Sequence, residues 1–115
     1  MNTRFETLGN IILAAPQGRL DFGAAAGFQS ELEHALAGAA NAPSGLIVDC
    51  AGLDYVSSAG LRVFLVVSRA AKRAGTLLAL CSLKPAVKDV FDVSGFSELI
   101  AVHADRAAAL ARMKA

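Results

Sequence analysis

Two adjacent serines, Ser57 and Ser58, are the residues whose position is best suited to carry chemistry. They stand at the start of a helix-forming stretch that runs to about Ala74 and is followed by Gly75, a residue typical of helix C-terminal caps. A serine hydroxyl at this point can cap the helix by accepting a hydrogen bond from a free backbone N–H group. It can also carry a phosphate, because the N-terminus of a helix favours negative charge.

The spacing of residues along this stretch predicts two different helix faces. At about 100° per residue, one face is apolar or small and is expected to lie against the core; it contains Gly60, Val63, Phe64, Val67, Ala70, Ala71 and Ala74. The opposite face is basic apart from one leucine; it contains Ser58, Arg62, Leu65, Arg69, Lys72 and Arg73. Because caps and charged faces are common, the pattern alone favours a solvated face, with Ser57 or Ser58 as an ordinary cap. The alternative is a surface that a partner protein recognises beside a modified serine.

Other candidate reactive groups give weaker signals. Asp49 or Asp54 could be imagined as a phosphoacceptor, but the paired acidic residues that would hold Mg²⁺ at an earlier strand end are missing. Cys50 could be imagined as a nucleophile with His34 or His103, yet it follows an apolar, strand-like run and is expected to be buried. No glycine-rich phosphate loop of the Walker type occurs. We therefore expect neither enzymatic activity nor a cofactor.

The composition predicts one soluble, cytoplasmic domain over residues 1–115. Of these residues 55% are hydrophobic and only 18% are charged, so a sizeable core can be buried. The net charge of +1 gives no general attraction to nucleic acid or to an anionic membrane. The N-terminus lacks the shape of a signal peptide, no apolar run is long enough for membrane insertion, and the two cysteines make no disulfide framework.

The elements around the serines predict an α/β fold. A β-hairpin is expected from residues 4–8 and 11–15, joined at Gly9-Asn10 and ended by residues 16–18. A helix then contains the spaced apolar residues 28–39 and is broken at residues 41–45. Further strands are expected at 45–49, 77–81 and 100–103, further helices at 84–94 and 105–113, and a loop at 50–56. We expect a mixed, largely parallel sheet of about five strands, packed with about four helices.

Three segments of the chain resemble the STAS domain family, which is shared by sulfate transporters and anti-sigma factor antagonists. Residues 46–65 (LIVDCAGLDYVSSAGLRVFL) closely resemble the central motif of the family. Residues 18–21 look like its Gly-x-Leu-Asp segment, and residues 84–96 look like the segment after its fourth strand. The segments follow in the family's order, without a transporter membrane region, which favours the free-standing antagonist branch.

The resemblance implies a partner-switching function. Antagonists of this type bind an anti-sigma factor that is also a serine kinase, and so release a sigma factor. The kinase phosphorylates one serine of the antagonist, which breaks the complex, and a PP2C-type phosphatase restores it. STAS domains also serve as non-phosphorylated adaptor subunits of larger assemblies, such as lipid-transport machines, and this is the alternative.

The family's usual motif, Asp-Ser-Ser-Gly-Leu, implies which serine accepts the phosphate. Aligned on Gly60 and Leu61, the acceptor is Ser58, with Ser57 in place of the aspartate and Ala59 in place of the second serine. Ser57 is therefore a rival acceptor, and a negative charge beside the acceptor is absent. We expect a partner-binding surface formed by Asp21, Ser57, Ser58, Arg62, Leu65 and Arg69.

Overall fold

The structure, a computed structural model, describes residues 1–37 and 43–114. Its strands are β1 (Asn2–Leu8), β2 (Ile11–Leu20), β3 (Gly45–Asp49), β4 (Gly52–Val56), β5 (Leu77–Cys81) and β6 (Ala101–His103). Its helices are α1 (Phe22–Ala37), α2 (Ser58–Ala74), α3 (Pro85–Val93) and α4 (Arg106–Lys114), with a 3₁₀ turn at Phe96–Glu98. The predicted fold class is confirmed. The predicted helix break begins at residues 41–42, which lie outside the described residues.

The sheet is built around β2, which pairs with three neighbours. β1 runs antiparallel to it from Asn2↔Gln17 to Leu8↔Ile11, across the predicted two-residue turn. The first half of β2 pairs in parallel with β3 and the second half with β4. The order across the sheet is β1-β2-β3-β5-β6, with β4 beside the second half of β2. The sheet is therefore mixed and largely parallel, as predicted.

Two sequence expectations about β2 and β4 are wrong. Residues 52–56 were expected in a loop, but they form β4, a strand beyond the five that were expected. Only Leu53 and Val56 are buried in it. Residues 16–18 were expected to end the second strand, but only its pairing with β1 ends there, at Gln17, and β2 continues to Leu20. Pro16 is tolerated because it lies between the segment paired with β3, which ends at Ala14, and the segment paired with β4. Its missing N–H group therefore costs the parallel ladder no hydrogen bond.

Helices cover both faces of the sheet. α1 and α2 pack on one face, where buried residues from both helices join those of β2, β3, β4 and β5 in the main core. A chain of edge-to-face aromatic contacts runs through this core, with ring centroids 5.9 Å apart for Phe28–Phe64, 5.3 Å for Phe64–Phe91 and 6.3 Å for Phe91–Phe96. On the other face, α4 contributes Ala109 to a smaller cluster.

The predicted phase of α2 is confirmed over most of its length. Five of the seven residues expected on the core face are buried: Gly60, Val63, Phe64, Val67 and Ala71. Ala70 is half-buried, and Ala74 is exposed, contrary to expectation. Ala74 lies in the last turn, beside the start of β5, where Leu77 is itself 60% exposed and the sheet no longer covers the helix. Gly75 caps α2 in the left-handed conformation, as predicted.

Candidate functional site

The carboxyl ends of β2 and β4 bring the starts of two helices together. The two strands are in parallel register at Leu20↔Val56, so the residues that follow them, Asp21 and Ser57, lie at the same edge of the sheet. The backbone N–H of Ser57 donates to the carbonyl oxygen of Leu20 over 2.9 Å, which ties the two helix starts to each other. Asp21, which was expected in one surface with the two serines, therefore lies near them.

Both residues at this edge act as helix caps. The Oδ1 atom of Asp21 accepts from the backbone N–H of Ala24 over 3.0 Å, at the start of α1. The Oγ atom of Ser57 accepts from the backbone N–H of Gly60 over 3.1 Å, at the start of α2. Each side chain thus satisfies one of the free N–H groups of its helix.

Ser58 differs from Ser57 in its surroundings. It is the first residue of α2 and is exposed, whereas Ser57 is half-buried and its hydroxyl oxygen is engaged in the cap. The capping role therefore belongs to Ser57, and Ser58 is exposed to solvent.

The basic face of α2 points away from the core, as the helical phase predicts. Arg62, Arg69, Lys72 and Arg73 are all exposed. Among the described residues, none of the ion pairs involves Arg62 or Arg69. Their guanidinium groups are therefore available to carboxylates or phosphates from outside the chain or from a modified side chain.

A groove lies along this face of α2, beginning at Ser58. Its polar lining is Ser58, Arg62 and Arg69, and its apolar lining is Phe22, Ala59, Leu61, Leu65, Val66 and Phe96. Leu65 is half-buried in this groove, not simply exposed in the middle of the basic face. Phe22 is 84% exposed, so its ring faces solvent and not the core. The groove combines apolar contact area with two cations.

The sequence did not indicate Phe22 and Phe96 as part of this site. The one feature that could have pointed to Phe22 is its position directly after the capping residue Asp21, in the first turn of α1. Phe96 follows α3 in a 3₁₀ turn that the sequence pattern did not predict. Of the predicted site residues, the groove brings together Ser58, Arg62, Leu65 and Arg69. Asp21 and Ser57 stand beside it as caps and are not part of its lining.

The other candidate reactive groups are engaged or buried. Asp49 accepts from the backbone N–H of Ala51 over 3.1 Å and from Nη2 of Arg106 over 2.9 Å, which joins β3 to α4. Asp54 pairs with Lys84. Cys50 is completely buried, and this burial raises the pKa of its thiol far above the ordinary range. The thiolate that nucleophilic catalysis requires is therefore disfavoured.

In the described part of the chain, no group of three or more His, Cys, Asp or Glu side chains is arranged to hold a metal ion. None of the helices in this part is both long and apolar enough to cross a bilayer.

The family model of the STAS domain matches residues 2–109, from β1 into α4. The chain belongs to the STAS domain family. A curated relative is 35% identical over 117 residues, which cover 99% of this chain and 96% of the relative; it is BtrV of Bordetella bronchiseptica, whose name marks it as a candidate anti-sigma factor antagonist.

Solved structures of STAS proteins share this fold. An anti-sigma factor antagonist from Mycobacterium paratuberculosis superposes with a TM-score of 0.89 at 15% identity, covering 99% of this chain and 94% of its own. The phosphorylated form of SpoIIAA, a cell fate determinant of Bacillus, superposes with a TM-score of 0.72 at 20% identity, covering 96% of this chain and 98% of its own. The chain therefore has the same fold as these two proteins.

Proposed function

We propose that this STAS protein is an anti-sigma factor antagonist whose binding is switched off by phosphorylation of Ser58. Its partners would be an anti-sigma factor that acts as a serine kinase and a PP2C-type phosphatase. The observation that carries the proposal is the position of Ser58, exposed at the start of a groove that offers apolar surface and two arginines with no ion pair in the described part of the chain. The name of BtrV and the existence of a phosphorylated SpoIIAA support it.

The hydrogen bonds of the two serines support the choice of Ser58 over Ser57. The Ser57 hydroxyl oxygen is occupied by the Gly60 N–H group, so phosphorylation there would disturb the cap of α2. Ser58 has an exposed side chain in the first turn, where a phosphate lies at the positive end of the helix dipole. Phosphorylation of Ser58 should therefore leave the fold intact.

The switch would act through the surface that the partner covers. A phosphoserine carries about −1.5 to −2 charges at neutral pH. Burying such a hydrated charge in an interface costs several kcal/mol unless it is fully compensated. Because about 1.4 kcal/mol corresponds to a tenfold change in affinity, a loss of a hundredfold or more is expected. The side chains proposed to meet the partner are Arg62, Leu65 and Arg69, with Asp21 and Ser57 at the rim.

The test uses substitutions at the two serines and the partner kinase isolated from the native host by co-purification. We expect Ser58→Asp to fold normally and to bind the partner at least tenfold more weakly. Ser58→Ala should bind whether or not ATP is present, and mass spectrometry of the ATP-treated wild-type protein should find the phosphate on Ser58. Ser57→Ala is the control, because it retains the proposed acceptor.

Three results would contradict the proposal: a phosphate on Ser57, a phosphomimetic variant that binds as tightly as wild type, or a Ser58→Asp variant that unfolds. Tight binding by both Ser58 variants, with no phosphate transfer, would instead indicate a constitutive adaptor subunit. Co-purification of a transporter ATPase in place of a kinase would point the same way.

The groove itself is tested by Leu65→Ala. Because Leu65 is only half-buried, we expect this variant to lose less than about 1 kcal/mol of unfolding free energy. Its affinity for the partner should fall at least tenfold, since an apolar contact at the centre of the groove is removed. Leu77→Ala is the matched control, because Leu77 is exposed at the opposite edge of the sheet. Equal affinities for the two variants would show that the partner does not use the groove.

A further inference from the structure

We infer that Arg62 binds the phosphate of phosphorylated Ser58 within the same chain, and that this pairing withdraws Arg62 from the partner groove. The inference rests on the proposed function in one respect, that Ser58 carries the phosphate. It adds a second action to the switch. Phosphorylation would not only introduce negative charge at the groove but also remove one of its two cations.

The helical geometry brings the two side chains together. Ser58 and Arg62 are four residues apart on α2, they are both exposed, and both line the groove. Residues at this spacing lie on the same face of a helix with their Cβ atoms about 6 Å apart. A negatively charged group four residues before a cation is the favourable order for such a pair.

Few other charged groups of the chain compete with Arg62 for the phosphate on Ser58, or with this phosphate for Arg62. The N–H group of Gly60 already donates to Ser57, so this amide of the first turn is not free to bind the phosphate. Arg62 takes part in no ion pair within the described residues. The charged residue at the adjoining helix start, Asp21, is acidic and would repel the phosphate. Arg69 is eleven residues from Ser58, about 16 Å along the helix axis, and is out of reach.

Arginine is well suited to the role. Its planar guanidinium group can donate two parallel hydrogen bonds to phosphate oxygens, which gives a pair with a fixed orientation. An Arg62 side chain held in this way points towards the N-terminus of α2. It can no longer offer the same donors to a carboxylate of the partner.

The inference is tested without kinase or partner, on protein that carries phosphoserine inserted at position 58 during translation. The second pKa of the phosphate is measured by ³¹P NMR in wild type, Arg62→Gln and Arg69→Gln. We expect Arg62→Gln to raise this pKa by about 0.3 unit, because the cation that favours the dianion is lost. Arg69→Gln removes the same charge from the same face and should change it by less than about 0.1 unit. Equal pKa values in the two variants would overturn the inference.

A second readout uses the partner and separates the inference from the proposed function. The factor by which phosphorylation weakens binding should be at least threefold smaller in Arg62→Gln than in wild type, because the cation that the phosphate withdraws is already absent. A factor that is unchanged or larger in Arg62→Gln would show that the phosphate acts by its charge alone. If the proposed function failed, phosphorylation would not change binding in either protein, yet the ³¹P measurement would still decide the pairing of Arg62.

Discussion

At the scale of single residues, neighbouring serines have different environments although their side chains are identical. Ser57 has extended backbone angles and a hydroxyl oxygen that accepts from the Gly60 N–H group, whereas Ser58 lies one residue inside the helix and is exposed. The boundary of α2 falls between them. Ser57, before this boundary, can cap the helix, and Ser58, after it, lies on the exposed side of the first turn.

This difference predicts that alanine destabilises the protein more at position 57 than at position 58. Ser57→Ala should lower the free energy of unfolding by about 1 kcal/mol, because the Gly60 N–H group loses its acceptor. Ser58→Ala should change it by less than about 0.5 kcal/mol, since an exposed side chain in the first turn is replaced by a good helix former. Urea denaturation of both variants under identical conditions measures the difference. A larger loss of unfolding free energy for Ser58→Ala than for Ser57→Ala would show that Ser57 is not the capping residue.

At the scale of elements, the position of α2 depends on a close approach to β2. A Cβ atom built on Gly60 would lie 2.9 Å from the carbonyl oxygen of Leu20 and 2.7 Å from its Cγ atom. Real Cβ atoms do not approach backbone so closely, so only glycine lets the first turn of α2 lie at this distance. The same approach brings the backbone N–H of Ser57 within hydrogen-bond distance of the Leu20 carbonyl oxygen. This hydrogen bond holds the start of α2, where Ser58 lies, against the end of β2.

Two glycine-to-alanine substitutions in helices test this packing. Gly60→Ala should destabilise the protein by about 1–3 kcal/mol, because overpacking against β2 outweighs the better helix propensity of alanine. Gly27→Ala in α1 is the matched control, since a Cβ atom there meets nothing within 4 Å. It should stabilise the protein by about 0.5–1 kcal/mol. Thermal and urea unfolding measure both changes, and stabilisation by Gly60→Ala would refute the close approach.

At the scale of the whole molecule, a sheet with helices on both faces buries its two thiols completely. Cys50 follows β3 and Cys81 ends β5, and both are at 0% exposure, which confirms the expected burial of Cys50. Burial raises the pKa of each thiol above its ordinary value of 9.0. Because the folded state holds the thiols in their neutral form, they can react only when the core opens.

The thiols should therefore report global unfolding. Below the ordinary thiol pKa both states keep the proton and this contribution to stability is fully present; above about pH 9 the unfolded chain ionises first, so the free energy of unfolding falls as pH rises. A disulfide reagent at pH 8 should modify Cys50 and Cys81 only over the urea range in which the circular dichroism signal is lost. Cys50→Ala is the control, and it should reduce the loss of stability between pH 8 and pH 10. Rapid modification in the absence of urea would contradict the burial.

The sequence alone determined much of the fold and the basic face of α2. Periodicity of 3.6 residues placed Ser58, Arg62 and Arg69 on one side of α2 and Val63, Phe64 and Val67 on the other, because helical phase is a local property. Short apolar runs predicted the buried strands, because such a run is also a local property of the sequence. The STAS resemblance depends on contiguous motifs, and the family match confirmed it.

Only the tertiary structure decided the rest, because it depends on residues that are distant in the chain. β4 exists because the second half of β2 offers it a partner, and no local pattern in residues 52–56 reveals that pairing. The groove needs Phe22 and Phe96, which lie 36 residues before and 38 after Ser58 and meet α2 only in the folded chain. The separation of Ser57 from Ser58 likewise depends on the position at which the strand pairing of Val56 with Leu20 ends and the helix begins.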